Sequence, residues 1–163
     1  MTAQDYQRFS APFRTPAGEK GLNLANFVLT RLCYVAYPLA LIVLAVGKDP
    51  RLLRCVLVPA ISFVLLSVYR DLRNAPRPYE LLDIQPLIHK DKKGKSFPSR
   101  HVFSVFVIAM TFLWLCPWLG AAFLAVGVAL ALCRVIGGVH WPRDVIAGAV
   151  VGIAAGVVGY WVV

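Results

Sequence analysis

An all-α integral membrane bundle of about five transmembrane helices is predicted by three observations on this sequence. The chain is 59% hydrophobic and only 15% charged, with a mean hydropathy of +0.69. A soluble domain of that composition would expose large apolar patches, and a disordered chain would be far less apolar. The apolar residues gather into runs close to the roughly 20 residues that cross hydrocarbon. Glycine, proline and charge collect between those runs, where helical spans end. With 163 residues, one compact bundle is about all the length allows.

Taken in order, residues 1–21 are a polar lead-in with Phe9, Pro12, Phe13 and Pro16 scattered through it, expected to be interfacial or loosely ordered. Its polarity argues against a cleavable signal peptide, whose apolar stretch begins earlier. Residues 22–163 read as a single membrane domain. The first span covers about 22–46, with Arg31 near enough to its start to snorkel and Pro38 as a tolerated kink. Gly47 to Pro50 turn the chain into a second span at about 52–70. Residues 71–98 form the one long polar connection. Within it Leu81, Leu82, Ile84, Leu87 and Ile88 recur at near-helical spacing, which predicts a short helix lying in the interface. The third span (about 99–116) and the fourth (about 118–135) meet at Cys116-Pro117, so they form an antiparallel hairpin. Gly137 and Gly138 break the chain before a fifth span at about 142–163. That span carries Gly148, Gly152 and Gly156 on one face, a seam expected to let a neighbouring helix of the bundle approach closely.

The formal charge of +9 fits loops that fix orientation and attract anionic headgroups. Nucleic acid is a poor partner, because no soluble basic domain exists to carry it. Cys33, Cys55, Cys116 and Cys133 lie within or at the ends of apolar runs without C-x-x-C pairing. They read as packing residues, not as a metal knuckle or disulfide framework.

Three clusters of ionisable residues interrupt the apolar frame: Arg70-x6-Arg77-Pro78, Pro98-Ser99-Arg100-His101 and Arg134-x5-His140-x3-Asp144. Counting crossings puts all three at one membrane surface. Charges at such positions are costly unless they act together. Pro142 suits the first position of a helix, which leaves Asp144 in its first turn and His140 just outside. A carboxylate four residues beyond a histidine can accept from one ring nitrogen and leave the other free as a nucleophile. Arg134 faces the same corner. Ser99 is a good N-cap, so amides near Arg100 and His101 point outward, where phosphate binds readily. His101 is then placed to give a proton to a departing oxygen. Pro76 and Pro78 hold Arg77 on a stiff segment, and Arg70 ends the preceding helix; both guanidinium groups suit phosphate oxygens. Alone, the first two clusters read equally well as ordinary helix ends. The third alone could merely complement a helix dipole.

Together they resemble the signature K-x6-R-P, P-S-G-H, S-R-x5-H-x3-D of the type 2 phosphatidic acid phosphatase family, related to bacterial acid phosphatases and vanadium haloperoxidases. The spacing agrees throughout residues 70–144. Arg70 stands for the lysine, Cys133 for the serine and Arg100 for the glycine. Arg100 keeps the backbone amide that holds phosphate, but its side chain is expected to crowd the pocket or add a cation. The resemblance implies a helical acid phosphatase/haloperoxidase-like core and removal of phosphate from a lipid phosphate or diphosphate in the cell membrane. It implies that His140 attacks phosphorus to form a phosphohistidine, Asp144 supports it, and His101 protonates the leaving group. Arg70, Arg77, Ser99, Arg100 and Arg134 would bind phosphate, with no metal or other cofactor. A phosphotransferase using the same intermediate and an inactive lipid-phosphate-binding protein are the alternatives. His89 and the lysines at 90, 92, 93 and 95 match no position of the signature and are expected to be solvated loop. The basic residues favour a cytoplasmic site by the charge rule, whereas bacterial relatives more often place it outside.

Overall fold

The computed structural model describes residues 1–90 and 92–163. They form α1 (Ala3–Ser10), a 3₁₀ turn (Ala11–Phe13), α2 (Pro16–Val46), α3 (Leu52–Arg73), α4 (Pro78–Leu81), α5 (Arg100–Leu115), α6 (Pro117–Ile136) and α7 (Pro142–Val157), which continues as a π-helical turn (Val158–Val162). No strand occurs among the described residues. The helices α2, α3, α6 and α7 with its π-helical end are long and apolar enough to cross a bilayer. Their outer faces expose Leu24, Val35, Val43, Val64, Val128 and Val150. That surface is untenable in water and natural in lipid, so the chain is a multi-pass integral membrane protein.

Helix α5 is different. Its 16 residues span only about 24 Å at 1.5 Å per residue. From Val102 to Phe112 every residue except Ser104 is buried, so α5 is the axis of the bundle. The other spanning helices pack around it, α6 and α7 most extensively. Phe112 and Phe123, with ring centres 4.6 Å apart, seal the hairpin of α5 and α6. The glycine seam of α7 lies against α5. A Cβ at Gly148 would fall 2.6 Å from the Ser99 carbonyl oxygen, and one at Gly152 would fall 2.8 Å from that of Phe103. Backbone meets backbone here, and the start of α7 is thereby set beside the start of α5. Cys33, Cys55 and Cys133 are buried and Cys116 is exposed, all as free thiols.

Two expectations are revised. The lead-in is ordered: the Asp5 N–H donates to the Thr2 hydroxyl at 3.2 Å and the Thr2 N–H to the Asp5 carboxylate at 2.7 Å, a reciprocal cap that starts α1. This helix buries Tyr6 completely against Gly138. There a φ of +74° and a 2.7 Å approach to the Tyr6 hydroxyl exclude any side chain. Helix α2 then begins at Pro16, not at 22. Beyond the end of α3 at Arg73, the one helix among the described residues of the long connection is Pro78–Leu81. Leu87 and Ile88 are instead buried with Leu22, Cys133 and Val139. Their backbone partners are tertiary: Asn23 Nδ2 donates to the Leu87 carbonyl at 2.9 Å, and the Ile88 N–H to the Gly137 carbonyl at 3.1 Å. These apolar residues plug a corner of the bundle, and a helix there would forfeit both bonds.

Candidate active site

The end of α3, the start of α5 and the turn between α6 and α7 converge at one end of the bundle. The Ser99 N–H donates to the Asp144 carbonyl at 2.8 Å, and the His140 N–H to the Arg134 carbonyl at 3.3 Å. Trp141 Nε1 donates to the Pro76 carbonyl at 3.1 Å. Backbone and capping bonds therefore join all three sequence clusters before any ligand is considered.

His140 is buried. Its Nδ1 lies 3.4 Å from Asp144 Oδ2 and 3.4 Å from the Ser96 hydroxyl, and the hydroxyl donates to the same Oδ2. That oxygen also accepts the Trp141 N–H at 3.1 Å, the cap of α7. The arrangement holds the ring by Nδ1 and leaves Nε2 without a hydrogen-bond partner among the described residues. Burial lowers the imidazole's affinity for a proton, against the opposing pull of the Asp144 hydrogen bond, and so favours the neutral ring. Ser96 is fully buried, and sequence reasoning passed over it. It occupies no position in the three clusters and lies in an aperiodic connection.

The three arginines are used unequally. Arg70, at the last turn of α3, donates to the carbonyls of Lys95, Ser96 and Pro98. Arg77 donates from Nε to the Gly94 carbonyl and from Nη1 to the Val139 carbonyl, both at 3.0 Å. Each fastens the segment before α5, and Arg77 also ties it to the residue before His140. Glu80 assists, accepting the N–H groups of Arg77 at 2.7 Å and Gly94 at 2.9 Å. Arg134 is as buried as the other two, yet its Nε has no hydrogen-bond partner. A buried, unpaired guanidinium is expensive, and an anion would satisfy it.

Ser99 heads α5, but its hydroxyl caps nothing and is likewise buried and unpartnered. The expected N-cap bond is absent; Ser99 is instead tied to α7 through its N–H. His101 lies within electrostatic reach of Arg134, Lys90 and His140. Arg100 departs from expectation. Its side chain is exposed and lies over the Phe63 ring, with Cζ 5.5 Å from the centre. It lies toward α3 and does not fill the space at the start of α5, although its charge still reaches Arg70 and His101. Lys90 departs the other way: it is not solvated loop but partly buried, within reach of Arg70, Arg77 and Arg134.

An apolar groove of about 1160 Å³ runs between α3 and α7. Tyr69, Phe97 and Pro98 line its near end, next in sequence to Arg70 and Ser99. Leu65, Val151 and Val158 lie farther along it. The apolar groove thus ends next to the polar cluster.

Residues 51–163 match the sequence profile of the PAP2 superfamily. The chain belongs to that superfamily. The undecaprenyl-diphosphatase of Sulfolobus acidocaldarius is 30% identical over 121 residues, 73% of this chain and 59% of that protein. The lipid A 1-phosphatase of Porphyromonas gingivalis is 35% identical over 73 residues, 42% of this chain and 16% of that protein. These matches therefore span less than two thirds of either relative. The crystal structure of LpxE from Aquifex aeolicus superposes with a TM-score of 0.75 at 25% identity, covering 97% of this PAP2 chain and 93% of that one.

Proposed function

We propose that this PAP2 protein hydrolyses the phosphate or diphosphate headgroup of a membrane lipid through a phosphohistidine at His140. The observation that carries the reading is the pair of buried, unpartnered groups, Arg134 Nε and Ser99 Oγ, beside an imidazole whose Nε2 is free. Phosphate oxygens would satisfy both, together with the amides at the start of α5. Nε2 attacks phosphorus while Asp144 and Ser96 hold Nδ1, and His101 gives its proton to the leaving oxygen. Arg134 and the fields of Arg70 and Arg77 stabilise charge on the phosphoryl oxygens in the transition state. Water then cleaves the N–P bond.

The groove between α3 and α7 suits a hydrocarbon tail, so the lipid need not leave the bilayer to present its headgroup. The names of the relatives, an undecaprenyl-diphosphatase and a lipid A 1-phosphatase, fit substrates of this kind. The outward side chain of Arg100 weighs against an inactive, blocked pocket. Purified protein in detergent, with chelator present, is expected to release phosphate from polyprenyl diphosphate, phosphatidic acid or phosphatidylglycerol phosphate, and His140→Ala to abolish release. Undiminished turnover in His140→Ala would overturn the assignment.

A further inference from the structure

Lys90 is a partly buried cation near the site that the mechanism above leaves without a task. It sits on the strap (residues 87–90 and 92–98), which is fastened on both sides of it. Before it, the Ile88 N–H donates to the Gly137 carbonyl and Leu87 and Ile88 are buried. After it, the Tyr79 hydroxyl donates to the Lys92 carbonyl, and Gly94 is held by Arg77 and Glu80. Stretched between these anchors, Lys90 is partly buried. The charged and titratable groups around it are Arg70 of α3, Arg77 before α4, Arg134 of α6, His101 of α5 and Lys92 of its own segment. No ion pair joins it to a carboxylate among the described residues. Four cations therefore lie together, and the described carboxylates beside them already have partners: Asp144 Oδ2 holds Ser96 and Trp141, Glu80 holds the N–H groups of Arg77 and Gly94, and Asp71 pairs with Lys95.

That imbalance says what should bind. Hydrogen bonds to carbonyls occupy Arg70 and Arg77 but leave their charges intact, so all four cations bear on an anion bound among them. A phosphate monoester brings about two negative charges near neutral pH; a diphosphate monoester brings about one more. Lys90 also lies within electrostatic reach of His101, the residue that the proposed mechanism sets at the leaving group. Resting on the phosphohydrolase reading above, we propose that Lys90 receives the inner phosphate of a lipid diphosphate and so selects diphosphate over monophosphate substrates.

In that reaction His140 Nε2 bonds to the outer phosphorus as the bond from that phosphorus to the bridging oxygen breaks. The electron pair departs on the bridging oxygen, which becomes a terminal oxygen of the lipid monophosphate. Water then cleaves the N–P bond, releasing orthophosphate and restoring the imidazole. A departing phosphate oxygen is far less basic than an alkoxide, so it needs a cation beside it more than a proton. Lys90 supplies the cation. Burial, followed by the charges of Arg134 and Arg77, lowers its pKa to about 7. A bound diphosphate would draw the proton back on, so the selectivity is full below pH 7 and fades as pH rises through the pKa of the complex.

The test compares a prenyl diphosphate with the monophosphate of the same chain. Lys90→Gln is expected to lower kcat/KM about tenfold more for the diphosphate, the scale of one charge-assisted contact. Lys90→Arg should restore the preference and remove its decline at alkaline pH. Equal losses on both substrates, or no loss, would overturn the proposal while leaving the phosphohydrolase intact. If the wild-type protein turned over neither lipid, that reading would fail, and binding of methylenediphosphonate against orthophosphate would decide the role of Lys90. A preference for the diphosphonate that narrows about tenfold in Lys90→Gln supports it; a preference unchanged in Lys90→Gln, or none in the wild type, refutes it.

Discussion

On the helical side of the pocket, Arg134, His140 and Asp144 hang from the ends of α6 and α7, whereas the strap facing them has no regular structure and is fastened by Arg70 and Arg77. The helical side is preorganised by its own backbone: helix ends, a cap at Trp141 and the Ser99–Asp144 bond fix it. The strap borrows order from two guanidinium groups that supply the hydrogen bonds its backbone lacks. Arginines of one sequence signature are therefore doing two jobs. One keeps its buried Nε unpaired among the described residues, as the proposed anion site requires, and two spend donors on protein carbonyls.

Breaking the helical side should cost most in catalysis and least in folding. Arg134→Ala is expected to lower kcat/KM by about 10²–10³-fold. Because the guanidinium it deletes is unpaired, the melting temperature without ligand should hold or rise, and the stabilisation conferred by orthophosphate should vanish. Breaking the strap should reverse that pattern. Arg70→Ala is expected to destabilise the ligand-free protein by about 3 kcal/mol, since charged hydrogen bonds to buried carbonyls are lost. Its activity should fall because Ser96 and the start of α5 shift. If thermal melts ranked the two variants in the opposite order, the division of labour would be wrong.

Ser96 sharpens the comparison, as it is the strap residue that touches the nucleophile's partner. Ser96→Ala should slow turnover about tenfold by loosening Asp144 and His140, with a smaller effect on KM. His140 itself should titrate below the ordinary imidazole value of about 6.5, because burial is the larger effect on it. The sign follows: the unfolded chain takes up that proton first, so stability from this group is complete above about pH 6.5 and erodes as pH falls. An NMR titration of the histidine ring nitrogens checks this, and a value at or above 6.5 contradicts it. The smallest effect belongs to Arg100→Gly, which should change kcat/KM no more than about twofold, because that side chain lies over Phe63 outside the pocket.

Much of this was legible in the chain. Apolar runs marked the spans, the glycine seam of α7 foretold a close neighbour, and the spacing of residues 70–144 picked out three clusters that the fold brings to one end of the bundle. What escaped depends on tertiary partners. Leu87 and Ile88 mimic helical spacing yet are buried as anchors, so Lys90 read as solvated. Ser96 belongs to a stretch whose shape comes from Arg70 and Arg77, not from any local pattern. Asp5, three residues after Thr2, was the signal for α1, a capping pair overlooked because α1 is only eight residues long. The unequal use of the arginines could not have been read at all, since identical side chains acquire different partners only in the folded bundle.

The most direct test of the central claim is rapid quenching of the protein with a lipid substrate labelled at its terminal phosphorus. The account predicts an acid-labile, base-stable phosphoryl group on His140 that forms before phosphate is released and is absent from His140→Ala. Turnover by wild-type protein with no label on that residue would contradict it.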